Sequence, residues 1–164
     1  MSWRIFAGTS TTMALALLAS LGSAAAQQPA PAAAPPKPLK DQLVGSWTLL
    51  LVDNVKGDNT QSGAYGPNPI GSIIFAPDGH YSLQIMRSVP PANVLTEFGT
   101  YTTNDADKSL TLRAEDSSNP SLDAKPQKTQ VTAITNEVLT LSGPPPAGAP
   151  AGTVKMDLAW KKAK

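Results

Sequence analysis

The chain has 164 residues, room for one domain after processing, and no cysteine, which excludes disulfides and thiolate metal sites. Its 13 basic residues stand against 12 acidic ones, so it lacks the field that draws proteins onto polyphosphate, and no nucleic-acid partner is expected. A single histidine, His80, excludes a multi-histidine metal centre; no cofactor is expected.

The N-terminus reads as an address. Arg4 precedes an apolar stretch from Met13 to Leu21, and Ala24-Ala25-Ala26 fits the small-residue cleavage rule of a secretory signal peptide. The stretch falls short of the ~20 apolar residues that span a bilayer. Residues 1–26 are therefore expected to be removed, leaving a periplasmic or secreted product without a stable membrane anchor. Residues 27–40 begin QQPAPAAAPPKP, a composition that cannot bury enough apolar surface to order itself and reads as an extended linker. The folded domain is expected over residues 41–164, with a short helix near Leu39 to Val44 as a possible plug.

Strand-like runs follow in order: Val44 to Val55, Ile70 to Ala76, Tyr81 to Arg87, Leu95 to Thr103, Ser109 to Glu115, Lys128 to Thr135, Glu137 to Ser142 and Thr153 to Lys161. Turn-rich segments separate them, and no convincing helix interrupts them, which points to an all-β sandwich or barrel. The second and third runs flank Ala76-Pro77-Asp78-Gly79, where proline presets the first corner and Gly79 accepts positive φ. This stretch reads as a β-hairpin.

Alternation assigns the faces. In the last run Val154, Met156, Leu158 and Trp160 share one side. Leu110, Leu112 and Ala114 share another, as do Val131 and Ala133. In the first run Trp47, Leu49 and Leu51 face one way, Leu50 and Val52 the other. Placing Ser82 and Gln84 toward water turns Tyr81, Leu83 and Ile85 inward, with Arg87 near the rim.

Catalytic chemistry is thin. His80 follows the turn glycine, where an exposed residue is expected. Asp105, Asp107, Glu115 and Asp116 lack the spacing of a calcium loop and read as solvated turn residues. Gly63, Gly66 and Gly71 belong to a proline-broken loop. Beyond residue 26 the aromatics are Trp47, Tyr65, Phe75, Tyr81, Phe98, Tyr101 and Trp160, and on strands these either fill a core or line a pocket.

Gly45-Ser46-Trp47 at the start of the first run matches the Gly-x-Trp signature of the lipocalins. With YGPNPIGSIIFAPDGHYSLQIMR, EFGTYTTND and a terminal LAWKK, residues 41 to 162 resemble the bacterial lipocalin-like domain family. The segment LRAEDSSNPSLDAKPQK follows that family only loosely. The resemblance implies an eight-stranded antiparallel β-barrel whose floor is closed by Trp47 beneath a basic side chain. Lys161 or Lys162 takes that place here instead of arginine. It also implies a small apolar or amphipathic ligand in the interior. The expected lining is Trp47, Leu49, Leu51, Phe75, Tyr81, Leu83, Ile85, Arg87, Tyr101, Met156 and Leu158, with Arg87 facing a carboxylate head group. Two alternatives stay open: an isomerase- or cyclase-type enzyme on the same barrel, and a filled barrel serving as a structural or interaction module.

Overall fold

The computed structural model describes residues 37–63, 65–87, 93–120, 125–145 and 149–164. The expected signal peptide, and the linker as far as residue 36, lie outside the described residues. The rest is nearly all β. A short helix α1 (Leu39–Leu43) leads into strands β1 (Gly45–Lys56), β2 (Gln61–Gly63), β3 (Ile70–Phe75), β4 (His80–Arg87), β5 (Asn93–Asn104), β6 (Ser109–Ser117), β7 (Pro126–Ile134), β8 (Val138–Gly143) and β9 (Thr153–Lys162).

From β3 to β9 each strand pairs antiparallel with the next, and β9 returns to pair along β1. On its other edge β1 pairs with β3 from Gly45 to Thr48 and with the three-residue β2 from Asp53 to Val55. Eight strands therefore close into a barrel, and closure leaves no long sheet edge to aggregate. The short β2, within a segment expected to be turn, extends the lane of β3.

The hairpin forms as the turn chemistry requires. Gly79 has φ of +100°, its N–H donates to the Ala76 carbonyl at 3.1 Å, and Ala76 N–H donates to His80 O at 2.8 Å. The register Phe75↔Tyr81, Ile73↔Leu83 and Gly71↔Ile85 buries the odd residues of β4 and exposes Ser82, Gln84 and Met86.

Two inferred faces are corrected by bulges, which insert one residue and reverse the alternation beyond it. Leu49 pairs with Trp160 but Leu51 pairs with the adjacent Ala159. Leu51 is therefore turned outward and is 43% exposed, while Val52, expected outside, is buried at 1%. A second bulge between Val131 and Ala133 leaves Val131 buried and Ala133 exposed. Val154 keeps the parity of Met156, Leu158 and Trp160 but is exposed near the strand's start. A third irregularity, between Phe98 and Gly99, needs glycine. A Cβ on Gly99 would lie 2.0 Å from the Arg113 carbonyl oxygen.

One end of the barrel is sealed. Leu39 and Leu43 of α1 are fully buried with Trp47, Leu110 and Leu139, so the domain reaches back into residues assigned to the linker. Pro38 offers α1 no side-chain cap at its N-terminus; instead Asp105 Oδ1, from the β5–β6 turn, accepts the Leu39 N–H at 2.7 Å. The Trp47 indole N–H donates to Leu43 O at 2.7 Å. The Tyr101 hydroxyl donates to Ala76 O at 2.8 Å, and its ring meets Phe75 edge-on at 5.0 Å. Lys162, not Lys161, sits over the Trp47 ring with Nζ 4.2 Å from its centre. That ammonium also donates to the Val44 carbonyl. Burial, with a smaller contribution from the charge of Lys37, holds its pKa below the ordinary lysine value.

Candidate functional site

Away from this floor the barrel widens into a cavity of about 900 Å³. It is lined by residues of β1 (Asn54), β2, β3 (Ile73), β4 to β8 and, on β9, Met156, Leu158 and Trp160. Strand alternation supplies an apolar wall of Ile73, Leu83, Ile85, Leu112, Leu141 and Leu158, with Met156 beside them. The volume falls within the range of small-molecule sites.

The eleven residues expected to line the interior divide into three groups. Leu83, Ile85, Arg87, Met156 and Leu158 do line the cavity. Trp47, Leu49, Phe75, Tyr81 and Tyr101 are buried but are not among its lining residues, and most of them belong to the packed floor. Leu51 is on the outer surface, for the reason given above.

Polar side chains complete the wall, Tyr65, Lys125 and Lys128 among them, and five more stand out: Asn54, Arg87, Glu97, Gln127 and Trp160. Each of these five contributes a buried polar atom with no hydrogen-bond partner among the described residues: Asn54 Oδ1, Arg87 Nε, Glu97 Oε2, Gln127 Nε2 and Trp160 Nε1. Buried polar atoms in native proteins are nearly always paired, so each such atom calls for an explanation. Here all five belong to residues around one cavity.

Glu97 is the most demanding of them. It lies on β5 opposite Leu83, is only 4% exposed, and has no cation within ion-pair distance among the described residues. Its Oε1 accepts the Tyr81 hydroxyl at 3.1 Å. Burial raises the Glu97 pKa, only partly opposed by that hydrogen bond. Burial also raises the Tyr81 pKa, with the Glu97 charge as the next cause. Tyr65, on the loop before β3, lines the same cavity. Its pKa is raised by burial, while Arg87 lowers it and Glu97 raises it, so it lies in the fields of both groups.

Of these polar groups the sequence points to Arg87 and Tyr81 as site residues, but not to Asn54, Glu97, Gln127 or Trp160. The signal for Glu97 was available, since Leu95 and Tyr101 on the same run share its parity. His80, by contrast, is at the hairpin turn with 60% of its side chain exposed, 3.2 Å from the Asp78 carboxylate. The hydrogen bonds from His80 hold the Asp78 pKa below the usual carboxylate value.

No family model matches the chain, and no curated protein does. Among solved structures it is similar to a redesigned β-barrel, at 16% identity and a TM-score of 0.44, over 77% of this chain and 96% of that one.

Proposed function

We propose that this protein is an exported, lipocalin-like barrel that binds a small apolar or amphipathic molecule in its interior. The observation that carries the reading is the cavity itself, with its apolar wall and five lining residues that each hold a buried, unpaired polar atom. Burying apolar ligand surface there contributes about 25 cal/mol per Å², less the cost of association. The polar atoms set the ligand's orientation. Among the described residues no carboxylate reaches Arg87, which leaves its guanidinium able to meet an acidic head group. The lipocalin reading is supported by Gly45-Ser46-Trp47 at the floor beneath Lys162.

The test is a titration with the apolar fluorophore N-phenyl-1-naphthylamine, which should bind the barrel and be displaced by fatty or aromatic acids. Leu83→Gln should weaken uptake by roughly tenfold, the effect of losing about 1.4 kcal/mol of apolar contact. A folded protein that takes up no probe would instead be a filled barrel acting as a structural or interaction module. Export is checked by N-terminal sequencing of the mature protein. A start at Gln27 is expected, and an intact Met1 in the membrane fraction would overturn it.

One observation favours a second reading, an isomerase- or cyclase-type enzyme: the buried Tyr81–Glu97 pair beside the cavity is placed for proton chemistry. Under that reading Glu97→Gln abolishes a measurable turnover while probe affinity is kept. Turnover that instead depends on His80 would sink it.

A further inference from the structure

A wholly apolar ligand would leave the cavity's polar atoms as unpaired as before. Glu97 Oε2, in particular, would be sealed against hydrocarbon, at a cost that hydrogen-bonded burial avoids. The chemistry of the five atoms narrows what would pair them. Arg87 Nε, Gln127 Nε2 and Trp160 Nε1 are donors, whereas Asn54 Oδ1 and Glu97 Oε2 are oxygens, all on residues that line the cavity. A cationic amine could meet the two oxygens but none of the three donors. A hydroxyl both donates and accepts, and so can serve either set.

We propose that the ligand is an oxygenated acid. Its carboxylate lies at Arg87 near the mouth, and an uncharged oxygen group, a hydroxyl or carbonyl, reaches Glu97 Oε2 deeper in the barrel. Tyr81 is the positioning residue, because its hydroxyl occupies Oε1 and leaves Oε2 for the ligand. The separation of the two polar ends follows from the register. Glu97 is opposite Leu83, and Arg87 is four residues farther along β4, roughly 13 Å at the rise of a β-strand. Tyr65 lies within reach of both charges. Burial favours the protonated form of Glu97, which lets Oε2 donate to a carbonyl as well as engage a hydroxyl. The proposal rests on the cavity-binding reading above and deepens it.

The experiment ranks three competitors for bound N-phenyl-1-naphthylamine on the exported protein: decanoic acid, its ω-hydroxy counterpart and its ω-amino counterpart. The ω-hydroxy acid should displace the probe at about tenfold lower concentration than decanoic acid, the scale of one net hydrogen bond. The ω-amino acid should be the weakest. Glu97→Leu should abolish the hydroxy preference while decanoic acid still binds, and Glu97→Gln, which retains hydrogen-bonding capacity, should keep it within about threefold. Wild-type protein that takes up the probe but ranks decanoic acid level with or above the ω-hydroxy acid overturns the proposal. So does an ω-amino acid that binds best. These rankings need no variant, so a misfolded Glu97→Leu does not spoil the test. Failure of probe uptake itself overturns the cavity reading instead, and with it this one.

Discussion

The two ends of the barrel are built by the same strands but finished differently. At the floor, the polar groups named above have partners: Trp47 with Leu43 O, Tyr101 with Ala76 O, the start of α1 with Asp105, and the Lys162 ammonium with Val44 O. Around the cavity Asn54, Arg87, Glu97, Gln127 and Trp160 each keep a buried polar atom without one among the described residues. Trp47 and Trp160 make the contrast sharpest. Both are almost wholly buried, yet one indole N–H is hydrogen-bonded and the other has no partner among the described residues. Paired polar groups stabilise a packed end, whereas unpaired ones weaken the free protein and are retained where something else completes them.

The comparison predicts opposite responses to mutation. The largest effect belongs to the floor: Trp47→Ala should destabilise the protein by about 3–5 kcal/mol in a denaturant titration. The substitution removes a fully buried ring, strips the Leu43 carbonyl of its donor and takes away the surface over which Lys162 is held. A loss below about 1 kcal/mol would mean that this end is not a packed floor. At the cavity the sign reverses. Gln127→Met keeps the volume and removes an unpaired amide, so it should leave stability unchanged or raise it by up to about 1 kcal/mol. A loss comparable to that of Trp47→Ala would show Gln127 to be structural.

The hairpin and the apolar face of β4 are more legible in the sequence than the bulges and Glu97, and the reasons are physical. Ala76-Pro77-Asp78-Gly79 specifies its turn through backbone preferences that travel with the residues. The alternation of β4, with serine and glutamine outward, fixes its register locally. The bulge after Leu49 has no such mark, because it is defined by the partner strand β9; alternation alone therefore puts Leu51 inside and Val52 outside. The plug helix expected near Leu39 to Val44 is present as α1, but its anchoring is not written locally. Pro38 looks like spacer, yet the next residue, Leu39, is fully buried, and the Asp105 that caps it lies 66 residues away. Glu97 was hidden by its chemistry. Neighbouring Phe98 is the better core residue by composition, but it is 52% exposed while Glu97 is 4% exposed. Hydrophobic patterning is least informative where a buried polar group is held against the rule, and such departures concentrate at functional sites.

The smallest effect, and the most specific to the cavity, is a pH dependence carried by Glu97. Its pKa is raised in the folded protein by burial, so the folded state holds this proton more tightly than the unfolded chain does. By linkage, the contribution is fully present below the unfolded glutamate value and is lost as pH rises through the folded one. Glu97→Gln imitates the protonated side chain at every pH. The variant and the wild type should therefore be similarly stable in acid, and the wild type should fall behind as pH rises toward neutrality. The groups whose fields overlap this site are Tyr81, Tyr65, Arg87 and, through its effect on Tyr81, Glu115. The tyrosines, both raised, stay neutral over that range. Asp107 acts in the opposite sense: its hydrogen bond from Lys128 pulls its pKa down to about 2, so its contribution is lost as pH falls. That term is common to both proteins and cancels in their difference. Denaturant midpoints of the two proteins, measured from acid to neutral pH, should diverge with the variant above. Midpoints that stay parallel would mean that Glu97 titrates as a solvated carboxylate does, and that the cavity is wetter at this position than its burial indicates.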